Sequence, residues 1–438
     1  MSTLLKNAAI FTRKGFIRQD IILSDARVLF DFPKNEKVNK EAFDTVYDLN
    51  GLFIIPGFAD VHVHLREPGF SYKENIRTGT LAAAHGGYTA VCAMPNIKPV
   101  PSNYENLKQE LECIRRDAVV HVYPYGSITE QQTGRGALSN MDEIAEYVCA
   151  FSDDGKGMQE REQMRQAMIK AKSLHRMIVA HCEDETELKP GGCIHDGEYA
   201  RLHHHVGINS ASEWKQVARD VALAEETGER YHVCHVSTKE SVAIIREAKK
   251  RGVPVTCETG PHYLMFTDMD LKEDGSWKMN PPIRSREDRD ALIEGVIDGT
   301  IDCIVTDHAP HSQEEKAKGL DGSSFGIVGL ETCFSAMYTH MVLQDPRHPG
   351  SGKGAIRLEK LIELMSVNPR EAFSLPGPRY VEEGAAADLT VLDLTKRWTV
   401  DSSRFFSMGR STLFQGMELV GEPVMTFVDG KPVYKRAE

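Results

Sequence analysis

The chain opens and closes on short alternations of apolar and polar residues. Between them, apolar runs of strand length take turns with amphipathic stretches of helix length. The N-terminal portion contains AAIFT, IRQDIILSD, ARVLFDF and TVYDLNGLFIIPG. The C-terminal portion contains ADLTVLDLTKRWTV and PVMTFVDGKPVYK, with a tight turn predicted at Asp429-Gly430. The middle offers eight runs: FADVHVHL, YTAVCAMP, VVHVYPYG, VCAFSDDG, MIVAHCED, YHVCHVS, VPVTCETG and IDCIVTDHAP. Segments such as REQMRQAMIKAKSL and TKESVAIIREAKKRG separate most of them at helical period. This alternation predicts an α/β fold, a (β/α)8 TIM-like barrel over residues 56–375. Residues 1–55 and 376–438 are each too small to stand alone and are predicted to pair into one small β-sandwich.

The polar residues inside these runs are not scattered. Six runs end in, or are followed by, groups able to bind metal or hydrogen-bond a ligand: His62 and His64, Asn96, Asp153 and Asp154, His181, His235, and Asp307. The C-terminal ends of barrel strands share one face, so these residues are expected to converge there. His62 and His64 stand two apart on one strand, and a period of two turns both imidazoles the same way. Neutral imidazole and carboxylate suit Zn²⁺, and none of these positions is a thiol. His203, His204 and His205 form a run in a polar connection and are expected at the surface. His121, at the start of a strand, is expected at the opposite end from the site.

Composition narrows the function classes. A formal charge of −12 over 438 residues gives no concentrated basic face for nucleic acid. The nine cysteines show no C-x-x-C spacing, and several lie in apolar runs, so reduced thiols are expected. No stretch has the length of a membrane span or a signal-peptide core, which predicts a cytoplasmic protein without a membrane partner.

The segment PGFADVHVHLREPG (56–69) resembles the metal-binding signature of the amidohydrolase superfamily, and LREPG resembles the class I dihydroorotase version. AMPN ending at Asn96, FSDDG (151–155), AHCED (180–184), HVCHVST (232–238), KMNPPIR (278–284), TDHAPH (306–311) and FGIVGLET (325–332) follow in that family's order. The resemblance implies two zinc ions per subunit, with retention of one as the alternative. His62 and His64 would bind the first and His181 and His235 the second; Asp154 would bridge, with Asp153 as the alternative. Asp307 would complete the first site and act as general base, then acid, while a hydroxide between the metals attacks the ring amide carbonyl. Arg66 and Asn96, with His64 and His311, would hold a substrate carboxylate. Asn280 and the backbone at Phe325 and Gly326 would contact the ring.

The reaction so implied is the zinc-dependent interconversion of N-carbamoyl-L-aspartate and L-dihydroorotate in pyrimidine biosynthesis. A homodimer, and association with aspartate transcarbamoylase, belong to the same implication. Two alternatives stand beside it. One is another cyclic amidohydrolase of the allantoinase or hydantoinase type. Many such relatives bridge their metals with a carboxylated lysine at the end of the fourth strand, where FSDDG stands here. The other is a catalytically silent scaffold for aspartate transcarbamoylase, expected to lack metal ligands. The segment Ala309–Ile327, rich in Gly, Ser and charge, is read as a loop that orders over the ligand.

Overall fold

The computed structural model describes residues 2–30 and 43–437. Positions 31 and 32, the end of the ARVLFDF run, lie outside the described residues.

Seven of the eight predicted central runs form strands. Phe58–Val63, buried at every position, pairs in parallel with Tyr88–Ala93, which pairs with His121–Pro124. Ile178–Ala180, Tyr231–Val233, Val255–Thr259 and Cys303–Ile304 also follow one another in parallel. The fourth run forms no strand of its own. It is stitched in by single parallel bridges, Gly126 to Phe151 and Phe151 to Ile178. A further bridge joins His308 to Val63, so the pairing returns to where it began. The fourth run stops short for a chemical reason. Just past Phe151 the Asp153 carboxylate turns aside to accept the backbone N–H groups of Ile128, Thr129 and Gly134.

Strands this buried need cover on both sides, and the helices supply it. Arg161–Ser173, Ala211–Thr227, Lys239–Lys250 and Arg286–Asp298 pack in succession, each beside the next. Their starts are set locally. Thr238 accepts from the Ser241 N–H, and Ser285 and Asp288 form a reciprocal capping box.

Strands from the two chain ends meet in one sheet. A six-stranded sheet runs Lys431–Lys435, Glu418–Val428, Leu389–Thr399, Phe53–Pro56, Ala9–Thr12, Gly15–Arg18. A four-stranded sheet runs Arg27–Leu29, Ile21–Ser24, Thr3–Lys6, Thr45–Asp48. Leu5, Ile10, Leu23 and Ile54 share a core with Leu389, Val391, Met425 and Phe427. The Asp429-Gly430 turn has both residues at positive φ, 50° and 75°, as a tight antiparallel hairpin requires. Pro56 ends the terminal sheet and Phe58 begins the central strands. Gly57 between them leaves no space for a side chain, since an added Cβ would lie 2.2 Å from the Thr89 side chain.

The segment after Asp307 is more ordered than its composition suggests. It contains two short helices, Gln313–Lys316 and Gly319–Gly322, the first opened by a Ser312–Glu315 capping box. Lys316 is buried and donates from Nζ to the Lys278 and Ser324 carbonyls.

Candidate active site

The ends of the central strands bring six of the predicted residues into one buried cluster, with Asp154 at its centre. Asp154 Oδ1 lies 3.4 Å from His62 Nε2, 3.6 Å from His235 Nε2 and 3.9 Å from His181 Nδ1. Its Oδ2 lies 3.5 Å from His64 Nε2. Asp307 Oδ1 closes the other side, 3.2 Å from His64 Nε2 and 3.5 Å from His62 Nε2. His181 Nδ1 and His235 Nε2 face each other at 2.9 Å.

Local backbone geometry aims these side chains. The register of the His62 strand slips between Asp60 and Val63, and such bulges re-aim side chains. Arg66, His235 and Asp307 all adopt the left-handed region, with φ of 61°, 30° and 46°. That conformation is costly for any residue with a side chain, and it persists where the surroundings impose it, most often at functional sites.

Asp153 does not compete with Asp154. Its carboxylate is taken up by the backbone bonds described above and by the Thr129 hydroxyl. Lys156, the nearest lysine in the segment, is exposed.

Whether the cluster fits a cation is answered by the atoms it leaves unsatisfied. Among the described residues, His62 Nε2, Asp154 Oδ1, His181 Nε2 and His235 Nδ1 are buried without a hydrogen-bond partner. Buried polar atoms rarely stay unpaired, because each forfeits its hydration. Ligand atoms of His62, His64 and Asp307 lie within 4.8 Å of one another, and so do those of His62, Asp154 and His235. The donor set is imidazole and carboxylate, and it fits a divalent metal.

Three carboxylates at the site carry no signal in the strand-end pattern. Glu258, fully buried on Val255–Thr259, lies 2.5 Å from His62 Nδ1 and 3.0 Å from His232 Nε2. Burial resists its charge, but His62 and His232 outweigh this and hold the carboxyl well below its ordinary range. Glu183 lies 3.7 Å from His181 Nε2 and accepts from Asn280 Nδ2 at 2.9 Å. Against the effect of burial, His181 and Asn280 hold it down to about 2. Asp60 accepts the His62 and Thr306 N–H groups, locking two of the strand ends together. A charged residue inside an apolar run, as in VPVTCETG, is the signal that could have found Glu258: burial of this kind demands a partner.

Beside the cluster lies a polar shelf. Asn96 Oδ1 is 2.7 Å from His64 Nδ1, which fixes that ring. Burial and the nearby Arg66 lower the His64 pKa and favour its neutral form. Arg66 donates from Nε to the Pro310 carbonyl and lies 3.4 Å from His311 Nε2. Burial lowers Arg66 only to about 10, so it remains a cation at neutral pH. Burial, Arg66 and Lys73 push His311 down to about 3, so it is neutral. His311 Nε2 also lies 2.7 Å from the Phe325 carbonyl, and Gly326 donates its N–H to the Lys278 carbonyl. Asn280 and these backbone groups are therefore already engaged within the protein.

Elsewhere the histidines divide. His121 Nε2 pairs with Asp388 at 3.1 Å, where the strand start meets the C-terminal segment. His203 and His204 are exposed and His205 is half-buried, with Asp321 and Glu273 flanking its ring. All nine cysteines are free thiols.

Residues 51–241 match the family described as dihydro-orotase-like. The dihydroorotase of Fusobacterium nucleatum is 46 % identical over 98 % of this chain and 98 % of its own length. That of a Geobacillus species is 46 % identical over 100 % and 99 %. In three dimensions the chain is similar to an L-hydantoinase (dihydropyrimidinase) from Arthrobacter aurescens, with a TM-score of 0.85 at 26 % identity over 100 % and 96 % of the two chains. A dihydropyrimidinase from Brevibacillus agri shares the fold, with a TM-score of 0.81 at 20 % identity over 99 % and 95 %. The hydantoinases thus share the architecture at low identity, whereas the dihydroorotases match nearly half of all positions from end to end, and the chain belongs to the dihydroorotase family.

Proposed function

We propose that this chain is an enzyme that interconverts L-dihydroorotate and N-carbamoyl-L-aspartate, a step of pyrimidine biosynthesis. Family membership supports the reaction. The observation that carries the choice of an anionic substrate is Arg66. It is buried, stays charged, and among the described residues has no carboxylate within ion-pair distance. Asp307, Asp154, Glu315 and Glu74 act on its charge only from a distance. This guanidinium, without a direct ion pair beside a cluster of metal-binding type, is therefore free to take an anion from outside, and its planar fork matches a carboxylate.

In this reading His62, His64 and Asp307 would hold one zinc ion and His181 and His235 a second, with Asp154 available to both. When bound, the metals supply Lewis acidity toward the amide oxygen and the attacking water. The remaining chemistry belongs to the chain. Asp307 is the proton carrier. Burial opposes its charge, but His64, His62 and His235 keep its pKa below the ordinary value, so it starts as the acceptor form. It takes the proton of the attacking water and returns it to the leaving ring nitrogen; cyclisation runs the same transfers in reverse. Arg66, the Asn96 amide and neutral His311 hold the substrate carboxylate. The role of Asn280, Phe325 and Gly326 as ring contacts requires them to exchange partners they already have.

The fold reading is a (β/α)8 barrel over 56–375 with a small β-sandwich from 1–55 and 376–438, supported by the returning circuit of parallel pairs and the core shared by both ends. Among the described residues no helix is long and apolar enough to cross a membrane. A cytoplasmic location, homodimerisation and association with aspartate transcarbamoylase extend the reading on the resemblance alone.

The test is turnover of L-dihydroorotate and cyclisation of N-carbamoyl-L-aspartate by zinc-loaded protein, with hydantoin and allantoin alongside. Activity confined to the first pair is expected. Activity on hydantoin or allantoin alone would overturn the proposal.

A further inference from the structure

Away from the Asp154 cluster, Cys193, His205 and Asp321 bring a sulfur, a ring nitrogen and a carboxylate oxygen within 4.8 Å of one another. Cys193 Sγ lies 3.3 Å from Asp321 Oδ1, and His205 Nδ1 lies 2.8 Å from the same oxygen. Ligands about 2.0–2.3 Å from one tetrahedral ion sit about 3.3–3.8 Å apart, so the Cys193–Asp321 separation fits and the His205–Asp321 hydrogen bond would open by about half an ångström to admit an ion. We infer that these three residues form a second cation site, suited to Zn²⁺ or an ion of similar softness, with the fourth position open to solvent.

The far side of His205 provides an independent observation. Its Nε2 lies 3.0 Å from Glu273 Oε2, and the Tyr199 hydroxyl donates to Glu273 Oε1 at 2.8 Å. A carboxylate on the second ring nitrogen is how proteins fix the tautomer and direction of a metal-bound histidine. Here it leaves Nδ1 as the nitrogen presented to Cys193 and Asp321. Two further features agree. Cys193 is buried while the Asp321 side chain is 73 % exposed, so the cluster has a protected soft ligand and an open entrance. The mixed thiol, imidazole and carboxylate set disfavours Mg²⁺ and Ca²⁺, which take oxygen ligands.

The placement gives the site a consequence. Cys193 and His205 flank the helix Glu198–His203, whereas Asp321 lies on Gly319–Gly322, within the segment that also carries His311 and Phe325. An ion held by all three ties the rim of the candidate active site to its neighbour. The site stands apart from the question of which amide the enzyme hydrolyses.

Cobalt(II) titration of the full chain tests it. Cys234 lies within 4.8 Å of His62 and Glu258 ligand atoms, so a near-ultraviolet thiolate-to-cobalt band is assigned to this second site by its loss in Cys193→Ser. The band is expected in the unaltered protein. It should be absent in Cys193→Ser and at least about tenfold harder to saturate in Asp321→Asn, as loss of one ligand would have it. Total cobalt should fall by one equivalent in Cys193→Ser. Asp321→Asn changes a largely exposed side chain and remains decisive even where Cys193→Ser does not fold. No band at saturating cobalt, a band that survives Cys193→Ser, or unchanged saturation in Asp321→Asn would each overturn the assignment.

Discussion

Two adjacent aspartates illustrate how one residue's surroundings decide its work. Asp153 satisfies three backbone N–H groups and the Thr129 hydroxyl. Asp154 has an oxygen with no partner and four imidazoles around it. Asp153→Ala is therefore expected to strand buried donors and cost about 3 kcal/mol or more in stability, seen as a lowered unfolding midpoint, with metal content kept. Asp154→Ala is expected to retain its fold and lose metal by elemental analysis, because in the proposed site its carboxylate is the anion that two cations would share. The opposite pattern would exchange their roles. At Arg66, replacement by Met should leave metal content unchanged and reduce kcat/KM for dihydroorotate by about 2–5 kcal/mol, as for other charged contacts removed from a desolvated site. Near-normal efficiency in that variant would remove Arg66 from the carboxylate site. Asp307→Asn should lower the rate about 10²–10⁴-fold at every pH, measured with metal content alongside; an amide that kept both zinc and rate would end its role as proton carrier.

At the scale of elements, the strand ends were legible because period-two patterning and the shared face of parallel strands are strong constraints. His62, His64, His181, His235 and Asp307 converge as that pattern requires. The fourth run was legible as an apolar stretch but not in its brevity, because the pull of Asp153 on the Ile128–Gly134 backbone is a contact between distant segments. Glu258 escaped for the same reason: its partners His62 and His232 come from two other strands. The partners of His205 were not legible either, because Asp321 and Glu273 that flank it lie far along the chain. Glu258 acts as a positioning residue for the His62 ring. Glu258→Gln should weaken metal binding about 10–100-fold while the fold is kept, as competition with a chelator would show; undiminished affinity would reduce Glu258 to a structural pair.

Across the whole molecule, the two chain ends are joined to the central strands by more than apolar packing. Thr390 and Thr426 donate to the Gly87 and Ala84 carbonyls, and Asp388 pairs with His121. The Asp388 contact, against the effect of burial, raises the His121 pKa above its ordinary 6.5. A raised histidine binds its proton more tightly when folded. Its contribution is thus fully present below about pH 6.5 and fades as pH rises through the folded value. His121→Gln should lower the unfolding midpoint at pH 6, by about 1 kcal/mol or less for so partly exposed a pair, and by less at pH 8.5. A difference that grew with pH would refute that reading.

At the same scale, the proposed function rests on a buried Arg66 without a direct ion pair selecting a carboxylate-bearing cyclic amide. The most direct test of this selection compares kcat/KM for L-dihydroorotate with that for 5,6-dihydrouracil, the same ring without the carboxylate, on one zinc-loaded preparation. A preference for dihydroorotate of at least about 10³-fold is expected, since a site built for a charged group is left unpaired by the ligand that lacks it. Equal efficiency on the two rings, or a preference for dihydrouracil, would contradict it.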